Sequence, residues 1–202
     1  IDPVPSIPGE DELIREVFFS TCDSDVALCT TANTSGDVIG IRVMENESFL
    51  SPTAWFNQMF PTDTGACNPF GTVDGYQACR AGRTTYVAAT NLDGGTLYPN
   101  IYLISYNDGA NGQTTNIYGQ LVDNWFFNSN PPSLMNICPA SPLETNKDCV
   151  VRDTKRVTEL GEIGYLLLNY QYENGVFPDL SAGTFISGLT TSKWPSWMAE
   201  FG

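Results

Sequence analysis

The stretch from Asp153 to Pro178 constrains the fold most, because it has the pattern of one long amphipathic helix. Asp153 or Thr154 can cap its start. Gly175 can adopt the left-handed conformation that ends a helix, and Pro178 prevents the helix from continuing. Apolar residues recur at the spacing of one helix face, which predicts that the helix core consists of Val157, Leu160, Ile163, Leu167 and Tyr170. On this pattern we expect much of the second half of the helix to be buried.

The rest of the sequence predicts mainly strands and turns. Alternating apolar and polar residues predict a strand over 37–45. Segments 84–91 and 96–106, separated by an Asp-Gly-Gly turn, predict a β-hairpin, and a further strand is predicted over 117–127. The fold class is therefore predicted to be α+β, with one long amphipathic helix packed on a small antiparallel β-sheet and with disulfide-tied loops.

Two short helices and one loop complete the predicted elements. Acidic residues at the start of segment 10–19 predict a short helix there. The pair Ser51-Pro52 has the pattern of a cap followed by a first helical turn, with Pro61 ending that helix. Segment 61–82, rich in Gly, Pro, Asp and Cys, is predicted to be a loop.

The domain organisation follows from a change in composition near the start. Residues 1–9 contain three prolines and a glycine, which predicts a stiff, extended arm or a linker. Residues 10–202 are predicted to form a single α+β domain. An alternative is a division into a β-rich part, 10–149, and a helix with an aromatic tail, 150–202. We expect Ile1 to be a processed N-terminus.

Six cysteines fall into three sequence-local pairs. There is no histidine and no C-x-x-C spacing, so a zinc site is not expected. Three disulfides are predicted, and the simplest of the possible connectivities is Cys22–Cys29, Cys67–Cys79 and Cys138–Cys149. Disulfides indicate an oxidising compartment, so the expected location is secreted, extracellular or on the cell surface.

The formal net charge of −14 limits the possible partners. A chain with this charge repels nucleic acid and anionic membrane surfaces, so we expect neither nucleic-acid binding nor direct membrane insertion. Without histidine, neither a Ser-His-Asp nor a Cys-His arrangement can form. No nucleotide-binding or nucleophile motif is present, and we therefore expect no enzymatic activity and no cofactor.

Two groups of residues are candidates for surface roles. The sequons at Asn33 and Asn46 predict a glycoprotein. Apolar residues of the arm recur every third position, on one side of a polyproline helix. Neighbours in the run 125–127 cannot all point into the core if the run is a strand. The residues predicted to lie at a subunit interface are Ile1, Val4, Ile7, Trp125, Phe126, Phe127, Trp194 and Trp197.

The long helix also carries a resemblance to a known family. The pattern R-D-x-x-R-x-x-x-L-x-x-I-x-x-x-L-x-x-Y over 152–170, followed by G-x-F-P-x-L over 175–180, resembles bacterial type IV pilins and type II secretion pseudopilins. The tail, through Trp194 and Trp197, resembles extensions of large pilin-like surface proteins. The resemblance covers mainly residues 152–202 and implies a pilin-like fold. Pilins polymerise through an apolar helix of roughly 20 residues, and none precedes this motif in the sequence, so another connector is expected.

Together these features favour a structural subunit of an extracellular filament or pilus-like surface appendage. Such a subunit self-assembles head-to-tail into a helical polymer, and its partners are copies of itself. The alternative is a surface-displayed carbohydrate-binding or adhesive module, with glycans as partners of the aromatic residues.

Overall fold

The computed structural model describes residues 13–20, 36–61, 65–93, 96–127 and 146–178. Within these ranges the chain forms six β-strands and three α-helices, so the predicted α+β class is confirmed. In chain order they are β1 (Leu13–Ser20), β2 (Val38–Glu45), α1 (Pro52–Met59), β3 (Asn68–Val73), β4 (Tyr76–Ala81), β5 (Thr84–Asp93), β6 (Thr96–Tyr106), α2 (Gly112–Asp123) and α3 (Asn146–Asn174). The chain divides into two compact units, Ile1–Glu162 and Ile163–Gly202, and the boundary lies inside α3.

All six strands of the first unit belong to one antiparallel sheet with the order β1-β2-β6-β5-β4-β3. The sheet is larger than the small sheet predicted from the sequence. Strands β3 to β6 form a meander, and the β1–β2 pair joins it beside β6. The predicted strand at 37–45 and the predicted hairpin are confirmed as β2 and as β5–β6. The outermost strands of this sheet are β1 and β3.

The first face of the sheet packs against α2. Tyr118 and Val122 of that helix lie in a core cluster with Ile39, Ile41 and Ile104 of the central strands. The Tyr118 hydroxyl is hydrogen-bonded to Thr85, and burial raises the pKa of the Tyr118 phenol. Alternation along the central strands therefore places one apolar set against α2.

The opposite face packs against α1. Trp55 and Phe56 are both 3% exposed, and their rings lie 6.1 and 5.3 Å from the ring of Tyr86 on β5. Ser51 caps this helix by accepting a hydrogen bond from the Ala54 amide, and Pro52 occupies its first turn. The predicted start and end of this helix are confirmed.

Strand β1 replaces the short helix predicted over 10–19. Its residues from Arg15 to Ser20 pair in continuous register with Val43 to Val38 of β2. The prediction was wrong because the apolar and β-branched residues in this segment fit a strand as well as a short helix. Pairing with β2, which is distant in the sequence, selects the strand over the helix.

Helix α2 replaces the strand predicted over 117–127. Asn111 caps it, since its side-chain oxygen accepts hydrogen bonds from the amides of Gln113 and Thr114 at 2.8 and 3.0 Å. Asp37 joins this cap to the start of β2 by accepting bonds from the Thr114 hydroxyl and the Asn111 amide. These two bonds, the Thr114 bond first, hold the pKa of Asp37 below its usual value.

The predicted loop 61–82 is instead largely the β3–β4 hairpin. Asp74 and Gly75 both have positive φ, 51° and 85°, as a two-residue hairpin turn with the strand twist requires. The disulfide Cys67–Cys79 is confirmed, with 5.4 Å between the Cα atoms. It ties the start of β3 to β4, so the disulfide was predicted correctly although the surrounding structure was not.

Helix α3 begins at Asn146, several residues before the predicted start. Asp153 and Thr154 therefore lie inside the helix and do not cap it. Its predicted end is confirmed, because Gly175 has φ 75° and its amide donates to the Gln171 carbonyl at 2.8 Å.

Candidate assembly surfaces

The segment of α3 in the second unit carries an apolar surface without charge. Residues 163–172 contain no acidic or basic side chain, and none of them is buried. Leu166 is 50% exposed, Leu168 61% and Tyr172 92%. A helix that is apolar over most of its circumference is normally buried in a core or covered by a partner. We call residues 163–172 the uncharged helix surface.

The helix core predicted from periodicity is only partly supported. Val157, Ile163, Leu167 and Tyr170 are half-buried, but Leu160 is 68% exposed, so its placement in the core was wrong. The expectation of a mostly buried second half was also wrong. The side chains of α3 that are buried come earlier in the helix and include the polar pair Thr154 and Thr158 as well as Cys149 and Val150.

Hydrogen bonds explain why threonines occupy these buried positions. The Thr154 hydroxyl lies 2.7 Å from both the Thr90 hydroxyl on β5 and the Val150 carbonyl oxygen. The Thr158 hydroxyl lies 2.9 Å from the Lys155 carbonyl oxygen and 3.3 Å from Gln77 on β4. Periodicity of apolar residues alone could not find this face, because two of its members, Thr154 and Thr158, are polar.

The edge strand β1 presents the second candidate surface. Val17, Phe18 and Phe19 are 41%, 42% and 55% exposed, although they are consecutive and therefore point to alternating faces of the sheet. The far side of β1 has no neighbouring strand in the sheet. Glu16 forms an ion pair with Arg42, its direct partner on β2, whose side chain is 6% exposed. An edge strand with three consecutive exposed apolar residues is open to pairing with another strand.

The aromatic run 125–127 separates into three different environments. Phe127 is 6% exposed, and its ring makes edge contacts with Tyr76 and Tyr102, so its placement at an interface was wrong. Trp125 is half-buried beside it. Phe126 is 70% exposed, with the Lys147 ammonium 3.5 Å from its ring centroid. The prediction failed for Phe127 because the run follows α2 as a turn and is not a strand.

Segment 124–127 is fastened to the first turn of α3 through Asp74. One carboxylate oxygen of Asp74 accepts a hydrogen bond from the Phe127 amide at 2.6 Å and also contacts the Lys147 ammonium. This contact joins the β3–β4 turn, the end of α2 and the start of α3. The Asp74 carboxylate, the Phe127 amide and the Lys147 ammonium therefore have a structural role in holding these elements together.

The sequon at Asn46 lies in a buried turn. Asn46 is 4% exposed, its amide nitrogen donates to the Leu50 carbonyl at 2.8 Å, and its side-chain oxygen accepts from the Leu50 amide at 2.9 Å. A glycan on this nitrogen would need space that the buried turn does not leave, so the fold argues against modification of Asn46.

Several predicted site residues lie outside the described residues. They are Ile1, Val4, Ile7, Cys22, Cys29, Asn33, Cys138, Trp194 and Trp197. Cys149 is disulfide-bonded, and its predicted partner Cys138 belongs to this group. The arm, the sequon at Asn33 and the bridge Cys22–Cys29 stay predictions.

The described part of the chain contains no cluster of three or more His, Cys, Asp or Glu side chains that could hold a metal ion. Within the same part, no helix has the length and apolar character needed to cross a membrane. Besides Tyr118, burial raises the pKa of Tyr102, and both phenols face the α2 core cluster. These shifts follow from packing.

Comparisons with known proteins do not assign a function to this chain. No protein-family model, no curated protein and no solved structure matches this chain.

Proposed function

We propose that this protein is a structural subunit of an extracellular filament, in which copies contact one another through the uncharged helix surface. The observation that carries the proposal is that residues 163–172, in a chain of net charge −14, carry no charge and none of them is buried. Ten consecutive helical residues without a charge differ from the acidic remainder of the molecule. An exposed apolar patch of this kind usually marks a contact with another chain.

The charge distribution favours a second copy as the partner. Two acidic chains repel at long range, but at this surface no like charges are brought into contact. Leu166 and Leu168 supply apolar area that gains free energy when removed from water. An anionic membrane is a poorer partner, because the segment has no lysine or arginine to attract it.

The disulfides support the location. Cys67–Cys79 is formed and Cys149 is disulfide-bonded, as in proteins of oxidising compartments. Secreted filaments depend on subunits that stay folded outside the cell, and such bridges stabilise small loops by about 2–4 kcal/mol each. The pilin-like pattern of the same helix adds to the proposal as a resemblance.

The alternative of a carbohydrate-binding module gains no support from the aromatic run 125–127 or from Trp55. Its aromatic platform would need adjacent exposed rings, but Phe127 and Trp55 are core residues. Phe126 alone is largely exposed in its run, and Lys147 lies over its ring.

The test is polymerisation of a Leu166→Ser/Leu168→Ser variant, followed by negative-stain electron microscopy and sedimentation. Both side chains are exposed, so the fold should melt at the parent temperature. We expect the concentration needed for assembly to rise about tenfold or more, since burial of two leucines is lost. The matched control is Ile117→Ser on α2, which is 42% exposed and should assemble as the parent does.

Two outcomes would overturn the proposal in different ways. If the parent protein stays monomeric at high concentration and moderate salt, the filament assignment is wrong. If the double variant polymerises like the parent, the filament stands but the uncharged helix surface does not hold it together. Raising the salt should promote assembly of the parent, because screening weakens repulsion between acidic copies.

A further inference from the structure

We infer that β1 is exchanged between copies, so that residues 13–20 of one chain pair with β2 of the next. This inference rests on the proposed function and adds a connector to it. The connector is a described strand with a defined register, in contrast to the arm at residues 1–9. The recognised partner is a second copy of this chain.

The first argument is the weak attachment of β1 to its own sheet. Val17, Phe18 and Phe19 keep roughly half of their surface in solvent. By contrast, Ile41 and Ile39, the partners of Val17 and Phe19 on β2, are 8% and 5% exposed. Removing β1 would therefore uncover β2 while costing β1 itself little burial. A strand held mainly by main-chain pairing can transfer to an identical site at little net cost.

The second argument is the length of the connection from β1 to β2. Ser20 is paired directly with Val38, although residues 21–37 lie between them. Antiparallel neighbours need only two to five connecting residues. Fully extended, this connection spans roughly 60 Å, and about 40 Å if the predicted Cys22–Cys29 bridge closes part of it. The connection is therefore long enough to place β1 on a neighbouring molecule.

The third argument is a specific recognition element. Glu16 meets Arg42 directly across the strands, and Arg42 is a nearly buried cation that needs an anionic partner. Because a side-chain register has a period of two, this pair fixes which residues of β1 face the sheet. The same contacts form whether β1 comes from the same chain or from another copy.

Exchange in one direction gives a polymer. Each copy offers one donor strand and one acceptor edge on β2, and a contact between two different surfaces need not close into a ring. Main-chain hydrogen bonds then connect successive subunits, as in other recognition by added strands. The uncharged helix surface contributes further contact between the connected copies.

The experiment reverses the charge on each side of the Glu16–Arg42 ion pair in separate variants. Glu16→Arg places two cations opposite each other, and Arg42→Glu places two anions opposite each other, so each variant alone should assemble at least about tenfold less than the parent. In an equimolar mixture every donor strand finds a complementary acceptor on the other variant. We expect mixing to restore polymer to the parent level, measured by sedimentation and electron microscopy.

The double variant Glu16→Arg/Arg42→Glu is the matched control. It carries a reversed pair within one chain and should assemble without a partner. If β1 always remains on its own chain, the mixture will behave as the average of the two defective variants. That result would overturn the exchange.

A second measurement covers the case in which Arg42→Glu does not fold. Arg15 is paired with Val43 in the register, and Val43 is only half-buried. Arg15→Cys and Val43→Cys proteins are prepared separately, mixed at the concentration of assembly and oxidised. A mixed disulfide dimer is expected if strands exchange, and its absence would contradict exchange.

The two proposals fail separately. Filaments that form without rescue by mixing and without the mixed disulfide would remove the exchange and leave the filament. A mixed disulfide in a protein that never polymerises would retain strand exchange, as a closed dimer, and remove the filament.

Discussion

The two halves of α3 differ in the kind of side chain that is buried or exposed: polar threonines are buried in the first half, and large apolar side chains are exposed in the second. In the first half, Thr154 and Thr158 are 3% and 1% exposed and are fixed by hydrogen bonds to strands of the sheet. In the second half, Leu166 and Leu168 are half or more exposed, and Tyr172 is almost fully exposed. One face of the more polar half is therefore buried, whereas no side chain of residues 163–172 in the more apolar half is buried.

This contrast shows that an apolar stripe on a helix can face either the protein's own core or another molecule. Hydrophobicity indicates that a surface gains free energy when it leaves water, but it does not say which molecule covers it. Small side chains suit the first half because the helix backbone at Gly161 lies close to the backbone carbonyl groups of Ser48 and Phe49. Large apolar side chains suit the second half if another copy covers them.

The largest difference is expected at the two glycines on either side of the boundary. A Cβ at position 161 would lie 2.5 Å from the Phe49 carbonyl oxygen and 2.6 Å from that of Ser48, whereas at Gly164 it would meet nothing within 4 Å. Gly161→Ala should destabilise the fold by about 1–3 kcal/mol. Gly164→Ala should stabilise it by up to about 1 kcal/mol through helix propensity. Urea unfolding of both variants measures the difference, and equal effects would remove the proposed close approach.

A smaller difference is expected between two aliphatic truncations in the first unit. Val150 is fully buried, so Val150→Ala should cost about 1–2 kcal/mol through lost burial and an unfilled cavity. Leu160→Ala removes more apolar volume from an exposed position and should change stability by less than about 0.5 kcal/mol. Thermal melting compares them. The reverse ranking would show that the apolar stripe faces the core after all.

The buried threonine contact should have a still smaller effect. Thr154→Val keeps the shape but leaves the Thr90 hydroxyl without this partner, at an expected cost of about 0.5–1.5 kcal/mol. The control is Thr115→Val, whose hydroxyl bonds the Gly112 carbonyl at an exposed site of α2. If both variants unfold at the same urea concentration, the hydroxyl at position 154 is not required for packing.

The smallest effect belongs to a surface contact outside α3, at Asp37. Hydrogen bonds from the Thr114 hydroxyl and the Asn111 amide hold the pKa of Asp37 below its ordinary value. Because the folded pKa is depressed, this contribution is present above the unfolded pKa and is lost as the pH falls through the folded pKa. The difference in stability between parent and Asp37→Asn should therefore be present at neutral pH and should shrink as the pH falls through the lowered pKa of Asp37. A difference that grows on acidification would contradict the assignment.

Local signals were sufficient to predict the central elements of the fold. The Ser51-Pro52 cap and the glycine at 175 act within one helical turn, and β5–β6 is a hairpin of neighbouring segments. Strand β1 was not predictable in this way, because its identity depends on pairing with β2 across a long connection. The Asp74-Gly75 turn was a signal present in the sequence, since it suits a two-residue hairpin.

The candidate surfaces were predictable only in part. Composition located apolar and aromatic residues, but their exposure depends on tertiary packing. Phe126 and Phe127 are identical in chemistry and adjacent in sequence, and one is exposed while the other is core. The stripe on α3 was recognised correctly as apolar, but its assignment to the core was only partly supported, because Leu160 is exposed and the buried face of the helix includes Thr154 and Thr158.

The most direct test of the central claim is hydroxyl-radical footprinting of the parent protein, dissociated and assembled, with mass-spectrometric readout. Leu168 and Tyr172 belong to the uncharged helix surface, and Tyr98, 51% exposed on β6, is the internal reference. We expect the oxidation rates of Leu168 and Tyr172 to fall several-fold on assembly relative to Tyr98, because a neighbouring copy excludes water from them. Unchanged rates at both residues in assembled material would contradict the claim that this surface joins the subunits.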